Sequence, residues 1–290
     1  MTNAFARFAC SAFAILAASA WAQTATVVPS EFGDEFYRPR SGQAGKDVVW
    51  VPTPDALVTR MLQAAKVTDK DLVYDLGAGD GKIPIAAARD FKARAVGIEY
   101  NPEMASLARR NVERAGVVDR VKIITGDIFE QNFSEASVVT LYLLPDLNYK
   151  LRPTILKMKP GTRVVSHQFT MRDWDADEVI TEAYRDAYLW IVPGNAAGRW
   201  TFQEQRGEWI GTADITQSFQ RVGGYLMVGA KSQPLLSAAL SGNTLSFFFT
   251  DADGVSRSIR GTIDGDKFDG WLRNATHETR VSGQRSASAK

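Results

Sequence analysis

The run Asp75-Leu76-Gly77-Ala78-Gly79-Asp80-Gly81 constrains this chain more than any other stretch. It follows a short apolar segment, Leu72 to Leu76, and leads into a helical pattern from Ile83 to Asp90. Glycines between a strand and a helix let the backbone turn tightly and approach a ligand at the carboxyl end of a parallel sheet. Dinucleotide-binding folds use such a turn as well, and two details separate this one from them. The spacing is Gly-x-Gly-x-Gly instead of Gly-x-Gly-x-x-Gly, and two carboxylates, Asp75 and Asp80, flank it. These would repel a pyrophosphate but attract a cationic ligand bearing an ammonium and a sulfonium.

The surrounding sequence alternates strand and helix. Ala95 to Glu99, Val121 to Ile124, Val138 to Leu143 and Arg163 to His167 read as further strands. Helical patterns run over Pro102 to Ala115 and Asn148 to Met158, and another from Leu57 to Ala65 is capped by Thr53 or Asp55. Such alternation predicts an α/β, doubly wound, Rossmann-like domain with a parallel sheet over residues 51–187. From Tyr188 onward strand-like runs dominate, with Asp253-Gly254 and Asp264-Gly265 as hairpin signals. Residues 188–284 therefore read as a small antiparallel β-rich module, a barrel or half-barrel, and 285–290 as a polar tail. Its aromatic residues, among them Trp200, Phe247 to Phe249 and Trp271, read as core filling ahead of a ligand-binding mouth.

Two more acidic residues fall where a ligand would reach them. Glu99 ends the second strand, where a carboxylate grips ribose hydroxyls. Asp127, in Gly126-Asp127-Ile128, follows the third strand within reach of an adenine amino group. The order and spacing of these motifs over residues 50 to 170 resemble class I S-adenosylmethionine-dependent methyltransferases. The resemblance implies S-adenosyl-L-methionine as cofactor. It gives Asp75 and Gly77, Gly79 and Gly81 the methionine part, Glu99 the ribose, and Asp127 with Ile128 the adenine; Asp80 and Thr53 join this cofactor-binding set. A narrower resemblance rests on Val51-Pro52-Thr53-Pro54, on Asp75 to Ile83, and on Arg163-Val164-Val165-Ser166 followed by Trp174. It is to the ATP synthase c-subunit lysine methyltransferases, which lack the β-rich tail, and it implies an amine acceptor, a protein lysine.

The acceptor side is less specified. Pro145, Asp146 and Asn148 stand where many amino-group methyltransferases carry Asn-Pro-Pro-Tyr or Asp-Pro-Pro-Tyr. They are candidates for acceptor contact or catalysis, and Asp146 and Asn148 read equally as a solvated loop and helix cap. His167, at a strand end on the same sheet edge, is a candidate base or a structural histidine. Trp50, in the arm before the first helix, is a candidate apolar wall for the acceptor. Small-molecule or RNA methylation remains open, as does a non-catalytic exported binding protein with a vestigial nucleotide domain.

Composition trims these classes. The 34 Lys and Arg against 33 Asp and Glu leave no basic surplus, which disfavours a nucleic-acid partner. The one cysteine, Cys10, lies in the leader, so Cys-ligated zinc, disulfides and thiol nucleophiles are not expected in the mature chain, and neither His has partners at metal-ligand spacing. Residues 1–22 read as a signal peptide, with Arg7 in the n-region, an apolar run from Phe8 to Ala18 and Ala20-Trp21-Ala22 before the cleavage point. The expectation is an exported chain, periplasmic or secreted, with no transmembrane span once the leader is gone. Membrane anchoring through an uncleaved leader is the alternative. Residues 23–50 read as a linker or an arm that folds over something.

Overall fold

The computed structural model describes residues 37–205 and 209–286. The expected leader, residues 1–22, and the first part of the arm lie outside the described residues, as does the end of the tail.

A hairpin of two-residue strands, β1 (Gln43–Ala44) and β2 (Val49–Trp50), precedes α1 (Asp55–Ala64). The Rossmann-like unit then runs β3 (Leu72–Leu76), α2 (Lys82–Phe91), β4 (Arg94–Glu99), α3 (Pro102–Arg114), β5 (Val121–Thr125), β6 (Val138–Leu141), α4 (Pro145–Ile155), β7 (Arg163–His167), β8 (Glu178–Glu182) and β9 (Arg185–Ile191). The sheet order is β5-β4-β3-β6-β7-β9-β8. The first five of these strands are parallel, and β9 and β8 add antiparallel. The chain therefore moves outward from β3 to β5 and resumes on the other flank at β6. The boundary between β3 and β6 is the topological switch point, where the strand ends diverge and a ligand crevice opens.

Local chemistry fixes these elements. Asn101 caps α3, its Oδ1 accepting from Glu103 N at 2.9 Å and Met104 N at 3.0 Å, with Pro102 in the first turn. Helix α4 starts at Pro145, earlier than the expected Asn148, because a proline in the first helical turn costs no internal hydrogen bond. One apolar layer joins α1, α2 and α3 to one face of the sheet through Leu57, Met61, Leu62, Ala87 and Ala108. A second layer, with Leu151, Ile155, Trp174 and Trp190, covers the other face.

Tyr188 to Ile191, expected to open the β-rich module, form the second half of β9 and belong to this sheet, where Val164 pairs with Trp190. The expected module boundary at residue 188 thus cuts through a paired strand. The β-rich part comprises β10 (Gly198–Glu204), β11 (Trp209–Ser218), β12 (Arg221–Val228), β13 (Lys231–Pro234), β14 (Leu236–Ser241), β15 (Thr244–Thr250), β16 (Ser256–Asp264), β17 (Lys267–Arg273) and β18 (Glu278–Arg285). These form one antiparallel sheet, β13-β12-β11-β10-β18-β17-β16-β15-β14, curled until β14 lies alongside β12. A bond from Leu235 N to Gly224 O at 2.9 Å helps close the seam. Trp200, Phe202, Phe247, Phe249 and Phe268 fill the interior, whereas Tyr225, Phe248 and Trp271 point outward. The β11–β12 turn falls at Phe219 and Gln220.

That turn docks the module. Phe219 stacks on Trp174 at 5.8 Å, Trp174 Nε1 donates to Gln220 Oε1 at 2.9 Å, and Gln220 Nε2 donates to Asp175 O at 2.7 Å. Among the described residues no helix is long and apolar enough to cross a membrane.

Candidate active site

The glycine turn leaves β3 at the switch point. Gly77, Gly79 and Gly81 all take positive φ, at 85°, 55° and 83°, the left-handed region that other residues enter only with strain. A side chain at Gly79 would also meet Trp50, whose Nε1 would lie 2.6 Å from the added carbon. Gly77 and Gly79 line the cavity above the sheet. Gly81 does not; it is the N-cap of α2, and an added carbon there would press on Ala108 of α3 at 3.2 Å. There it serves the close approach of a turn and a helix.

Asp75, Asp80, Glu99 and Asp127 all line this cavity. Asp75 is 3% exposed, and Thr140 Oγ1 donates to its Oδ1 at 2.7 Å. Burial pushes its carboxyl up to about 7, with Glu99 and Asp80 adding negative charge against the Thr140 bond. Burial also raises Asp80, opposed by the Lys82 backbone N–H and charge. Glu99 is held at the end of β4 by two backbone donors, Gly79 N at 2.8 Å and Asn101 N at 2.9 Å. Asp127 accepts from Phe129 N at 2.9 Å and pairs with Lys46 of the arm at 2.5 Å. That pairing holds its carboxyl below the usual range. A buried carboxylate paired with no Lys or Arg among the described residues suits a ligand with cationic groups. The donor set and the bare glycine backbone thus fit S-adenosylmethionine.

The arm forms the roof. Lys46 lies 4.6 Å above the Tyr100 ring as well as on Asp127, and Trp50 sits against Gly79. Trp50, expected as a wall for the acceptor, thus touches the cofactor turn instead, because the β1–β2 hairpin folds back over β3. Thr53 and Ile128 also line the cavity. The Thr53 carbonyl accepts from Lys82 Nζ at 3.1 Å, and its hydroxyl meets His167 Nδ1 at 3.0 Å.

The acceptor flank, beyond β6 and β7, differs from expectation. Tyr142, Leu143, Leu144, Leu147 and Phe169 line it. Asp146 is turned away to Arg172 at 2.6 Å with its side chain 84% exposed, and Pro145 is exposed in the first turn of α4. Asn148 is fully buried behind the wall. It donates to Ser166 Oγ at 3.0 Å and Phe169 O at 3.2 Å, pinning the loop after β7 and not lining the cavity. His167 is 1% exposed, sandwiched between Thr53 and the Tyr142 ring at 3.8 Å. Burial, with the nearby Arg185 charge, pushes it down to about 4, so it stays neutral and supports the wall. Sequence reasoning missed Tyr142, Lys46 and Tyr100. Among the described residues no group of His, Cys, Asp and Glu is arranged to hold a metal ion.

The sequence matches known proteins. A family profile described as the ANTKMT methyltransferase domain matches residues 75–178. A protein-lysine N-methyltransferase of Saccharolobus islandicus is 52% identical over 151 residues, spanning 50% of this chain and 94% of the relative. The mouse (Mus musculus) ATP synthase c-subunit lysine N-methyltransferase is 28% identical over 171 residues, spanning 58% of this chain and 67% of the relative. Among solved structures, an RNA methyltransferase from Salinibacter ruber in complex with S-adenosyl-L-homocysteine is 49% identical with a TM-score of 0.49, covering 50% of this chain and 95% of that one. With a relative more than half identical and matched over nearly its whole length, the chain belongs to the S-adenosylmethionine-dependent methyltransferases, in the family that includes the protein-lysine and ATP synthase c-subunit lysine N-methyltransferases.

Proposed function

We propose that the chain methylates the side-chain amine of a protein lysine. The observation that carries this reading is its 52% identity to a relative named a protein-lysine N-methyltransferase, over 94% of that relative. The acceptor flank supports it chemically. Walls of Tyr142, Leu143, Leu144 and Phe169 carry no charge, and a desolvated, uncharged wall favours a neutral amine over an ammonium.

Bound S-adenosylmethionine supplies the methyl group from a sulfonium. In this reading Asp75, Gly77 and Gly79 receive the amino-acid end, Glu99 the ribose and Asp127 the adenine. Asp75, Asp80 and Glu99 match the cationic charge, and Trp50 with the arm keeps water out. Toward the acceptor the chain acts by alignment. Holding an amine in line with the transferring group provides much of the acceleration, and no residue has to form a covalent bond. Tyr142 shapes the channel, while Thr53, His167 and Asn148 fix the segments that carry it.

The test offers the full chain labelled cofactor together with protein, RNA and small-molecule fractions of a host extract. Label that survives nuclease, is removed by protease and is recovered as methyl-lysine supports the reading. Label in RNA or small molecules would overturn it, and cofactor binding without transfer to any fraction would favour a scaffold. We also propose export through residues 1–22. Mass spectrometry of the native N-terminus tests this, and a chain beginning at Met1 in the cytosolic fraction would refute it.

A further inference from the structure

The β8–β9 hairpin ends on the same sheet edge as the active site. Strand β9 runs antiparallel to β7 with Ala187 opposite His167, and Gln168 N donates to Asp186 O at 2.7 Å. The turn, Ala183-Tyr184, therefore projects past the end of β7, beside the loop that delivers Phe169.

Its conformation is costly for its residues. Ala183 and Tyr184 have φ of 48° and 64°, the two-residue mirror-image turn that glycine and asparagine adopt most readily. Tyr184 makes no use of the fold in return: it is 104% exposed. Beside it opens a groove of about 510 Å³ lined by Gln168, Ala183, Tyr184, Arg185, Asp186 and Tyr188. Gln168 neighbours the acceptor flank, because the Tyr142 hydroxyl, from the cavity wall, donates to its Oε1 at 3.4 Å. One hydrogen-bonded pair of side chains thus stands between the groove and the methyl-transfer channel.

The charges in the groove are unequal in availability. Asp186 is engaged by the Thr181 hydroxyl at 2.7 Å. Arg185 forms no ion pair among the described residues. Glu182, opposite it across the hairpin, pairs with Arg60 at 3.8 Å. One guanidinium with donors to spare, next to a tyrosine ring that touches nothing, is the composition of an interface anchor.

We propose that this hairpin tip docks the protein segment that carries the acceptor lysine, and that Arg185 and Tyr184 receive an acidic side chain flanking that lysine. The inference rests on the protein-lysine reading above and adds the chemistry of the recognised sequence. The partner is an extended segment, because the groove leads from the exposed turn to Gln168, which the Tyr142 hydroxyl of the channel wall contacts. A free amine or a small molecule would have no reason to reach Tyr184.

The experiment uses the full chain, labelled cofactor and synthetic lysine-centred peptides whose flanking positions are Asp, Ala or Lys. The Asp-flanked peptide is expected to have the highest kcat/KM, exceeding the Lys-flanked one by about tenfold. Arg185→Glu is expected to invert that order. Tyr184→Gly should lower kcat/KM on the Asp-flanked peptide by about tenfold while leaving the unfolding midpoint unchanged or higher, since glycine relieves the turn. A merely structural tyrosine would give the opposite, lost stability with unchanged selectivity. Equal kcat/KM on the three peptides, or an order that survives Arg185→Glu, overturns the docking surface and leaves the lysine reading standing. Methylation of no peptide by a chain that binds cofactor in calorimetry overturns the lysine reading, and the docking surface with it.

Discussion

Replacing Asp75 by asparagine should stabilise the protein and abolish cofactor binding at the same time. Asp75 sits 3% exposed at the end of β3 and titrates at about 7, chiefly because burial strips its carboxylate of water. In the unfolded chain an aspartate titrates near ~3.9. The folded state therefore binds the extra proton between those values, and stability falls as pH rises from about 4 to 7. A gap of about 3 units corresponds to at most about 4 kcal/mol at pH 8, at 1.36 kcal/mol per unit. Asparagine keeps an acceptor for the Thr140 hydroxyl but carries no charge, so Asp75→Asn should recover much of that cost. In a domain of this size each kcal/mol moves the midpoint by about 2–4 °C.

The assay is calorimetric unfolding from pH 5 to 8, beside cofactor titrations at each pH. The parent should lose cofactor affinity below pH 7, by up to about tenfold per unit, because the ligand's cation must displace a proton. His167 supplies an opposite slope: its folded value of about 4 lies below the unfolded ~6.5, so its contribution is present above 6.5 and lost as pH falls toward 4. The Asp75→Asn variant should therefore gain stability with rising pH up to about 6.5 and then level off. A variant whose midpoint follows the parent's pH profile, or is lower at pH 8, would refute the reasoning that an ionised carboxylate is buried there.

Three further outcomes are expected. Lys46→Met should tighten cofactor binding in titration calorimetry and weaken its salt dependence, because Lys46 occupies the Asp127 oxygen that the adenine amino group would use. Asp146→Ala should leave methyl transfer and cofactor affinity unchanged and cost no more than about 1 kcal/mol, since it removes only an exposed ion pair with Arg172. A chain ended after Val192 should still bind cofactor but melt earlier, through loss of Phe219 and Gln220 from Trp174; an unchanged midpoint would show that the docking contacts contribute nothing.

The cofactor side was legible in the sequence because backbone geometry dictates residue type there. Gly77 and Gly79 hold positive φ in the cavity floor, and Glu99 ends a strand next to the one that carries the turn. Gly81 carried the same signal for another reason, its approach to Ala108. The acceptor side was hidden because polarity pointed the wrong way. Asn148 and His167 have the look of catalytic groups, yet the Asn148 amide N–H groups are used on Ser166 and Phe169, and His167 Nδ1 on Thr53. Tyr142 read as part of an apolar strand to Leu143, but β6 stops at Leu141, which releases its ring into the loop over the cavity. The β1–β2 hairpin has strands too short for any periodicity, so nothing in the sequence marked Lys46 as the partner of Asp127.

The distribution of charge across the pocket sets how the reaction should depend on pH. Asp75, Asp80, Glu99 and Asp127 crowd one flank, and Tyr142, Leu144 and Phe169 make the other. Among the described residues no carboxylate or imidazole lines the acceptor flank, since Asp146 faces solvent and His167 lies behind Tyr142. A general base works when its value lies near the operating pH and it reaches the proton, and His167, at about 4, meets neither condition. In the protein-lysine reading proposed above, the acceptor amine then arrives already neutral, having lost its proton to water at the channel mouth. Under subsaturating peptide, kcat/KM should rise about tenfold per pH unit from pH 7 toward the ordinary lysine value near ~10.4, with no plateau at the histidine range. His167→Gln should shift the whole curve down through a looser Tyr142 wall without changing its slope. A plateau beginning between pH 6 and 8 that disappears in His167→Gln would mean that the imidazole reaches the amine after all, and that the wall seen here opens during the reaction.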